Sequence, residues 1–226
     1  MLKKSKASAI TLALVIGVSF TGCSKGSTGS ELCDKAYKAF TVVVKENKDK
    51  IGYHDALSHW GIKMPSGEKF EWTKDTAANV ADLAIVALAD PFINAGLDVT
   101  KLDKNQWLFE PAAKEGTEQL PNRLIKPYNV SDKRFQTEGY EDAMRNIIKT
   151  DNNLITYNPD AKKYVISLGQ GFEVQWTESL GTNESDMVFV FDAKPLVEAG
   201  LDVNKLSGSG WEVKEDGKLV KAFKLK

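Results

Sequence analysis

Hydrophobic residues along this chain recur at spacings of three and four, and then of two, in two separate stretches. The first spacing predicts a helix with one apolar face, formed by Ala36, Ala39, Phe40, Val43 and Val44. It returns with Tyr140, Ala143, Met144, Ile147 and Ile148. Short runs follow each helix, and in the later stretch Phe172, Val174 and Trp176 alternate with polar residues. That alternation predicts antiparallel strands with one buried and one solvated face.

The two stretches are copies of one module. Residues 37–107 align with 141–211 without a gap, at an offset of about 104 positions, and roughly 21 of the 71 aligned positions are identical. The segment 95–102 (AGLDVTKL) returns as 199–206 (AGLDVNKL). Gap-free agreement over this length predicts that loops were duplicated together with the helices and strands.

The second copy clarifies an ambiguous part of the first. Residues 83–89 are rich in alanine and favour a helix by propensity, whereas the aligned run 187–191 (MVFVF) favours a strand. Both are therefore predicted as strands. A short helix follows in each copy, opened by a proline and ended by a glycine: Pro91 with Gly96, and Pro195 with Gly200. Asp98 and Asp202 are predicted to cap the next turn.

The predicted fold class is α+β: two tandem copies of a helix plus antiparallel-sheet module with a short second helix and a terminal hairpin. The return strands of the hairpins are predicted at residues 123–126 and 218–225, with a longer loop in the first copy. The first module is assigned to residues 31–126, a linker to 127–136, and the second module to 137–226.

The N-terminus has the pattern of an export signal. Three lysines within residues 1–6 precede an uncharged, mostly apolar run over 7–20, which is too short to span a bilayer of about 30 Å. The run ends in Phe20-Thr-Gly-Cys23 and resembles the bacterial lipoprotein signal, although Phe20 stands where leucine is usual. The resemblance implies removal of residues 1–22 and a lipid on Cys23. Ordinary secretion and an uncleaved anchor are the alternatives.

The resemblance implies a protein anchored by lipid to a bacterial cell membrane or cell surface and facing outside the cytoplasm. Residues 23–30 are rich in Gly, Ser and Thr and predict a flexible tether. The formal net charge of −1 provides no overall attraction for nucleic acid. Cys33 is expected to be a small buried side chain, with an intermolecular disulfide as the alternative.

The sequence contains no recognisable catalytic or metal-binding pattern. His54 and His59 are the only histidines, and neither a cysteine nor a third histidine completes a zinc site with them. Residues 151–153 lack the alternating ligands of a calcium loop. No G-x-S-x-G segment or glycine-rich phosphate loop lies in the modules. We therefore predict no catalytic residues, no metal and no cofactor.

The duplication separates residues that serve the common fold from residues that serve one copy. Tryptophans kept in both copies are predicted to be core residues: Trp72 with Trp176, and Trp107 with Trp211. Three features found in only one copy are candidates for a specific surface: the longer loop 110–121 of the first copy and two groups of residues. The first group is a surface of the first module with His54, His59 and Trp60. The second group is a partner or anion contact at the junction of the modules, formed by Arg123, Arg134, Arg145 and Tyr128. Intramolecular salt bridges are the alternative for the arginines.

These observations predict a lipid-anchored, extracytoplasmic binding or adaptor protein of the cell envelope without catalysis. Its partner would be an envelope protein, a polymer or a small ligand, bound near the junction of the modules, besides the membrane itself. Two alternatives remain open. One is an envelope hydrolase with a dispersed carboxylate site, and the other is a structural or assembly component.

Overall fold

The computed structural model describes residues 27–54, 58–74, 81–115, 118–129, 137–150, 152–169, 171–181 and 185–225. The helices are α1 (Ser27–Glu46), α2 (Asp90–Asn94), α3 (Tyr140–Thr150) and α4 (Lys194–Glu198). The first-copy strands are β1 (Ile51–His54), β2 (His59–Lys63), β3 (Lys69–Thr73), β4 (Leu83–Leu88), β5 (Leu108–Glu110), β6 (Ala113–Glu115), β7 (Glu118–Leu120) and β8 (Arg123–Tyr128). The second-copy strands are β9 (Ile155–Asn158), β10 (Lys163–Ser167), β11 (Glu173–Thr177), β12 (Met187–Asp192), β13 (Glu212–Val213) and β14 (Lys218–Phe223).

Each copy forms a six-stranded antiparallel sheet with the same strand order. The orders are β1-β2-β3-β4-β8-β5 and β9-β10-β11-β12-β14-β13. The duplicated α+β module and its terminal hairpin are therefore confirmed, as is a strand rather than a helix at Leu83–Leu88. The longer loop of the first copy contains the additional hairpin β6–β7.

Two element boundaries differ from the predicted segments. Helix α1 begins at Ser27, inside the predicted tether, and its first turn precedes the helical ion pair Glu31–Lys35 at 2.6 Å. Strand β8 continues to Tyr128, inside the predicted linker, because Tyr128 lies opposite Leu83 and its carbonyl accepts a hydrogen bond from the Asp82 amide at 2.9 Å. Pairing with a neighbouring strand thus extends β8 beyond what its own sequence indicates.

The two copies share one hydrophobic core, and each first helix binds the sheet of the other copy. The indole of Trp72 in β3 donates to the carbonyl of Tyr140 in α3 at 2.8 Å. The indole of Trp176 in β11 donates to the carbonyl of Ala36 in α1 at 3.0 Å. These bonds occupy equivalent positions in the two copies, so the copies are related by an approximate two-fold axis. All four tryptophans predicted as core residues are buried.

The repeated AGLD segments meet each other. The Asp98 amide donates to the Ala199 carbonyl, and the Asp202 amide donates to the Ala95 carbonyl, both at 2.9 Å. Gly96 and Gly200 have φ of +101° and +103°. A Cβ atom on either one would lie 3.0 Å from the carbonyl oxygen of the other. The glycines therefore end their helices, as predicted, and also permit close contact between the copies.

The two aspartates that follow these glycines cap the next turn, as predicted. Asp98 accepts from the Thr100 amide and Asp202 accepts from the Asn204 amide, each at 3.1 Å. A hydrogen bond from the Thr100 hydroxyl lowers the pKa of Asp98, and the Asn204 amide lowers the pKa of Asp202. Within the described residues, no helix has the length and apolar character needed to cross a membrane.

Candidate functional site

The outer face of the first sheet, opposite the shared core, carries three rows of residues across β1, β2 and β3. The rows are His54, His59 and Thr73; Gly52, Gly61 and Glu71; and Lys63 and Lys69. The alternate positions of the same strands face the core, where Ile62, Phe70 and Trp72 are fully buried. The pleat of the strands therefore places these histidines, glycines, lysines and the glutamate on one face.

The second sheet has the same register and different chemistry. Its corresponding rows are Asn158, Lys163 and Thr177; Thr156, Val165 and Gln175; and Ser167 and Glu173. Where the first copy has two glycines, the second has a threonine and a valine. Where the first has two lysines, the second has a serine and a glutamate. The outer face is thus where the copies diverge on a common scaffold.

Gly52 and Gly61 form the floor of a cleft in the first copy. They lie directly opposite each other on β1 and β2. A Cβ atom on Gly52 would meet nothing within 4 Å, whereas one on Gly61 would lie 3.1 Å from Cγ of Glu71. Because Gly61 has no side chain, the side chain of Glu71 can lie over β2 on the outer face. The space above Gly52 is open. The resulting cleft has a volume of about 470 Å³, within the range of small-molecule sites.

A buried histidine–glutamate pair lies beneath the cleft. Nδ1 of His59 is 3.3 Å from Oε2 of Glu71, and Nε2 of His59 is 2.6 Å from the carbonyl oxygen of Ala81. Because a carbonyl only accepts, Nε2 carries a hydrogen, and the Nδ1–Oε2 contact requires a second one. The imidazole thus partners the buried side chain of Glu71, which offsets the cost of an unpaired carboxyl group at this depth.

Both ring nitrogens of His59 are occupied by protein atoms. Neither is directed at the cleft as a free base, which a general-base mechanism would require. No three His, Cys, Asp or Glu side chains in the described segments come close enough together to hold a metal ion. The arrangement is suited to holding a ligand through charge and hydrogen bonds.

The predicted surface of the first module is divided between the two faces of the sheet. His54 lines the cleft, and its Nδ1 has no hydrogen-bond partner among the described residues. His59 also lines the cleft but is buried, with 2% of its surface exposed. Trp60 points to the inner side, where its ring packs against Tyr53 at 4.7 Å and Tyr140 at 5.7 Å. Trp60 directly follows His59 on β2, so the side chains of these two residues lie on opposite faces of the sheet.

The arginines that the structure describes are held by intramolecular contacts. Arg123 pairs with Glu110 at 2.5 Å. Arg145 stacks on the ring of Tyr37 at 4.5 Å, donates to its hydroxyl at 2.9 Å and pairs with Asp142 at 3.1 Å. Arg123 and Tyr128 occupy opposite ends of β8. The intramolecular contacts named as the alternative are therefore present for both arginines, and the junction contact stays a prediction.

Two further candidate residues, Cys23 and Arg134, lie outside the described residues. Cys33 is buried, with 5% of its surface exposed, and its Sγ lies 3.7 Å from the Asn152 carbonyl oxygen. Sequence reasoning missed Gly52, Gly61, Lys63, Lys69 and Glu71. The alignment of the two copies could have found them, because each is replaced by a residue of different chemistry in the second copy.

Similarity to known proteins adds no assignment to the cleft. The candidate site is defined by its own residues: the glycine floor, the two lysines and the buried His59–Glu71 pair. No model of a protein family, no curated protein and no solved structure matches this chain.

Proposed function

We propose that this chain is a non-catalytic binding protein of the bacterial cell envelope, held at the membrane by a lipid on Cys23, and that the first-copy cleft binds its ligand. The observation that carries the proposal is the glycine floor. Two sheets share one strand order and register, yet an open cleft of small-molecule size lies over Gly52 and Gly61, at the positions filled by Thr156 and Val165 in the other copy.

The occupied ring of His59 supports binding rather than catalysis. Its nitrogens contact Glu71 and the Ala81 carbonyl, so the imidazole beneath the cleft is engaged by the protein. Rigid strands support both walls, which suits a preformed ligand site. The lipoprotein-like segment that ends at Cys23 supports the membrane location.

Replacing Cys23 with alanine is expected to release the protein from the membrane. A thiol is required to carry the lipid, and a folded body without it has only weak means of attachment. The measurement is the distribution of full-length protein between membrane and soluble fractions, with metabolic incorporation of a fatty-acid analogue as the second readout. Cys33→Ala is the matched control and should remain in the membrane fraction. Equal membrane retention of Cys23→Ala and the unmodified protein would refute the anchor.

Replacing Gly52 with threonine, the residue of the second copy, is expected to abolish ligand binding while preserving the fold. The Cβ position is unobstructed, and threonine suits a strand, so the added atoms enter the cleft. The measurement is amide chemical-shift change on addition of pooled neutral sugars, amino acids or anionic metabolites. At least one pool should shift the cleft amides, and Gly52→Thr should weaken that response at least tenfold.

Gly139→Thr is the control for this experiment, because Gly139 also has no atom within 4 Å of its Cβ position and does not line the cleft. It should bind as the unmodified protein does. The absence of cleft shifts with every pool, or unchanged binding by Gly52→Thr, would overturn the proposed binding function.

A further inference from the structure

Two lysines stand directly opposite each other at one end of the cleft. Lys63 of β2 and Lys69 of β3 are Cα partners on the outer face, and both line the cleft. Side chains in such a pair have Cβ atoms about 5 Å apart, and like charges there repel. No carboxylate among the described residues forms an ion pair with either lysine. The second sheet has Ser167 and Glu173 at these positions, so the common fold does not require two cations.

The other charged groups around the cleft are balanced within the protein. Nζ of Lys50 forms an ion pair with Asp49 at 3.6 Å and donates to the side-chain oxygen of Asn47 at 2.9 Å. Glu71 is partnered by the imidazole of His59. Lys63 and Lys69 therefore dominate the charge offered to a ligand, and that charge is positive.

Glu71 also offers an acceptor to the cleft. Its Oε2 contacts His59, while its Oε1 lies 3.8 Å from the Cβ position of Gly61, above the glycine floor. The side chain is only 8% exposed, and Oε1 has no hydrogen-bond partner within the described part of the chain. Oε1 is not among the buried atoms that lack a partner, so it is accessible from the cleft and can accept a hydrogen bond from a donor of the ligand. Along the strands, the Glu71 row and the lysine row are about 7 Å apart.

We infer that the cleft binds a small solute that carries a carboxylate or phosphate group and, about 7 Å away, a hydroxyl or ammonium donor. The anionic group lies between Lys63 and Lys69, and the donor reaches Oε1 of Glu71 over Gly61. This assignment of ligand class rests on the proposed binding function of the cleft. In this cleft the two lysines attract the anionic group and the single acceptor on Glu71 orients the ligand, as charged and polar groups commonly do in small-molecule sites.

The test uses four probes with the full folded chain: glucose 6-phosphate, gluconate, glucose and inorganic phosphate. The first two combine an anionic group with hydroxyls, and comparing them distinguishes phosphate from carboxylate as the preferred anion. One or both should shift the amides of residues 61–71 and bind at least tenfold more tightly than glucose or inorganic phosphate. Lys63→Ala/Lys69→Ala should weaken this binding at least tenfold.

Lys214→Ala/Lys218→Ala removes the same net charge from the last hairpin of the second copy and should bind as the unmodified protein does. If both double variants lose the same affinity for the anionic probes, the effect comes from the overall charge of the protein, and the inference is overturned. Binding of glucose as tightly as either anionic sugar would also overturn it, while leaving the cleft a binding site. If no anionic probe binds but another metabolite pool does, the ligand class is wrong and the proposed function stands. If no pool binds, both are wrong.

Discussion

Lys221→Met is expected to lower the free energy of unfolding by about 3–5 kcal/mol, because it leaves a buried carboxylate without its cation. Lys221 of β14 and Glu68 of the first copy pair at 2.5 Å, with side chains 9% and 1% exposed. Nζ of Lys221 also donates to the Ser209 carbonyl at 3.0 Å, and Ser66 donates to Oε2 of Glu68. Urea unfolding of the purified protein near neutral pH measures the loss.

Two comparisons make this prediction specific. Lys218→Met removes a lysine from the same strand that is 33% exposed and pairs with Asp216 at 3.5 Å, and it should cost less than about 1 kcal/mol. The double variant Glu68→Gln/Lys221→Met removes both charges and should recover most of the stability lost by Lys221→Met. A double variant as unstable as the sum of its single changes would show that the two side chains act independently.

Phe40→Ala is expected to cost about 3–5 kcal/mol, because one ring joins the packing of both sheets. Phe40 is fully buried in α1. Its ring lies 5.3 Å from Trp72 in the first sheet and 5.6 Å from Trp176 in the second, in edge-to-face geometry. The loss should appear as one cooperative transition, with circular dichroism and tryptophan fluorescence coinciding.

Val42→Ala is the matched control on the same helix. Val42 is 46% exposed, so its truncation should change stability by less than about 0.5 kcal/mol. Two separated transitions for the unmodified protein or for Phe40→Ala would contradict a shared core. An effect of Phe40→Ala no larger than that of Val42→Ala would contradict the central position of the ring.

Periodicity predicted the elements well where local pattern and burial agree. The apolar residues of α3 and those alternating around Trp176 depend on period alone and are buried as expected. The predicted solvated face of β11 was wrong, because Glu173 and Thr177 are buried as well. Leu83–Leu88 needed the second copy, since alanine-rich residues satisfy a helix and a buried strand equally. The pattern shows which face is buried but not which neighbour covers it. That α1 lies against Trp176 of the other copy was therefore not predictable from either copy alone.

The candidate site illustrates a second limit of sequence reasoning. His54 and His59 attract attention because histidine is rare in this chain, whereas Gly52 and Gly61 acquire meaning only once their register is known. The buried Glu68–Lys221 pair was missed because 153 positions separate the two residues and neither lies in a distinctive segment. Its symmetric counterpart also differs. In the second copy, Phe172 occupies the position equivalent to Glu68. In the first copy, Lys126 occupies the position equivalent to Lys221, and burial lowers the pKa of Lys126.

The close contact of Gly96 with Gly200 makes the chain resemble a symmetric dimer whose subunits have been fused. In a true dimer every substitution occurs twice, so a lysine pair on one outer sheet would be repeated on the other. Fusion removes that constraint, and here Lys63 and Lys69 of the first copy are replaced by Ser167 and Glu173 at the equivalent positions of the second. A symmetric framework can thus present one such cleft per chain, so the proposed ligand is expected to bind with a stoichiometry of one and without avidity between the halves.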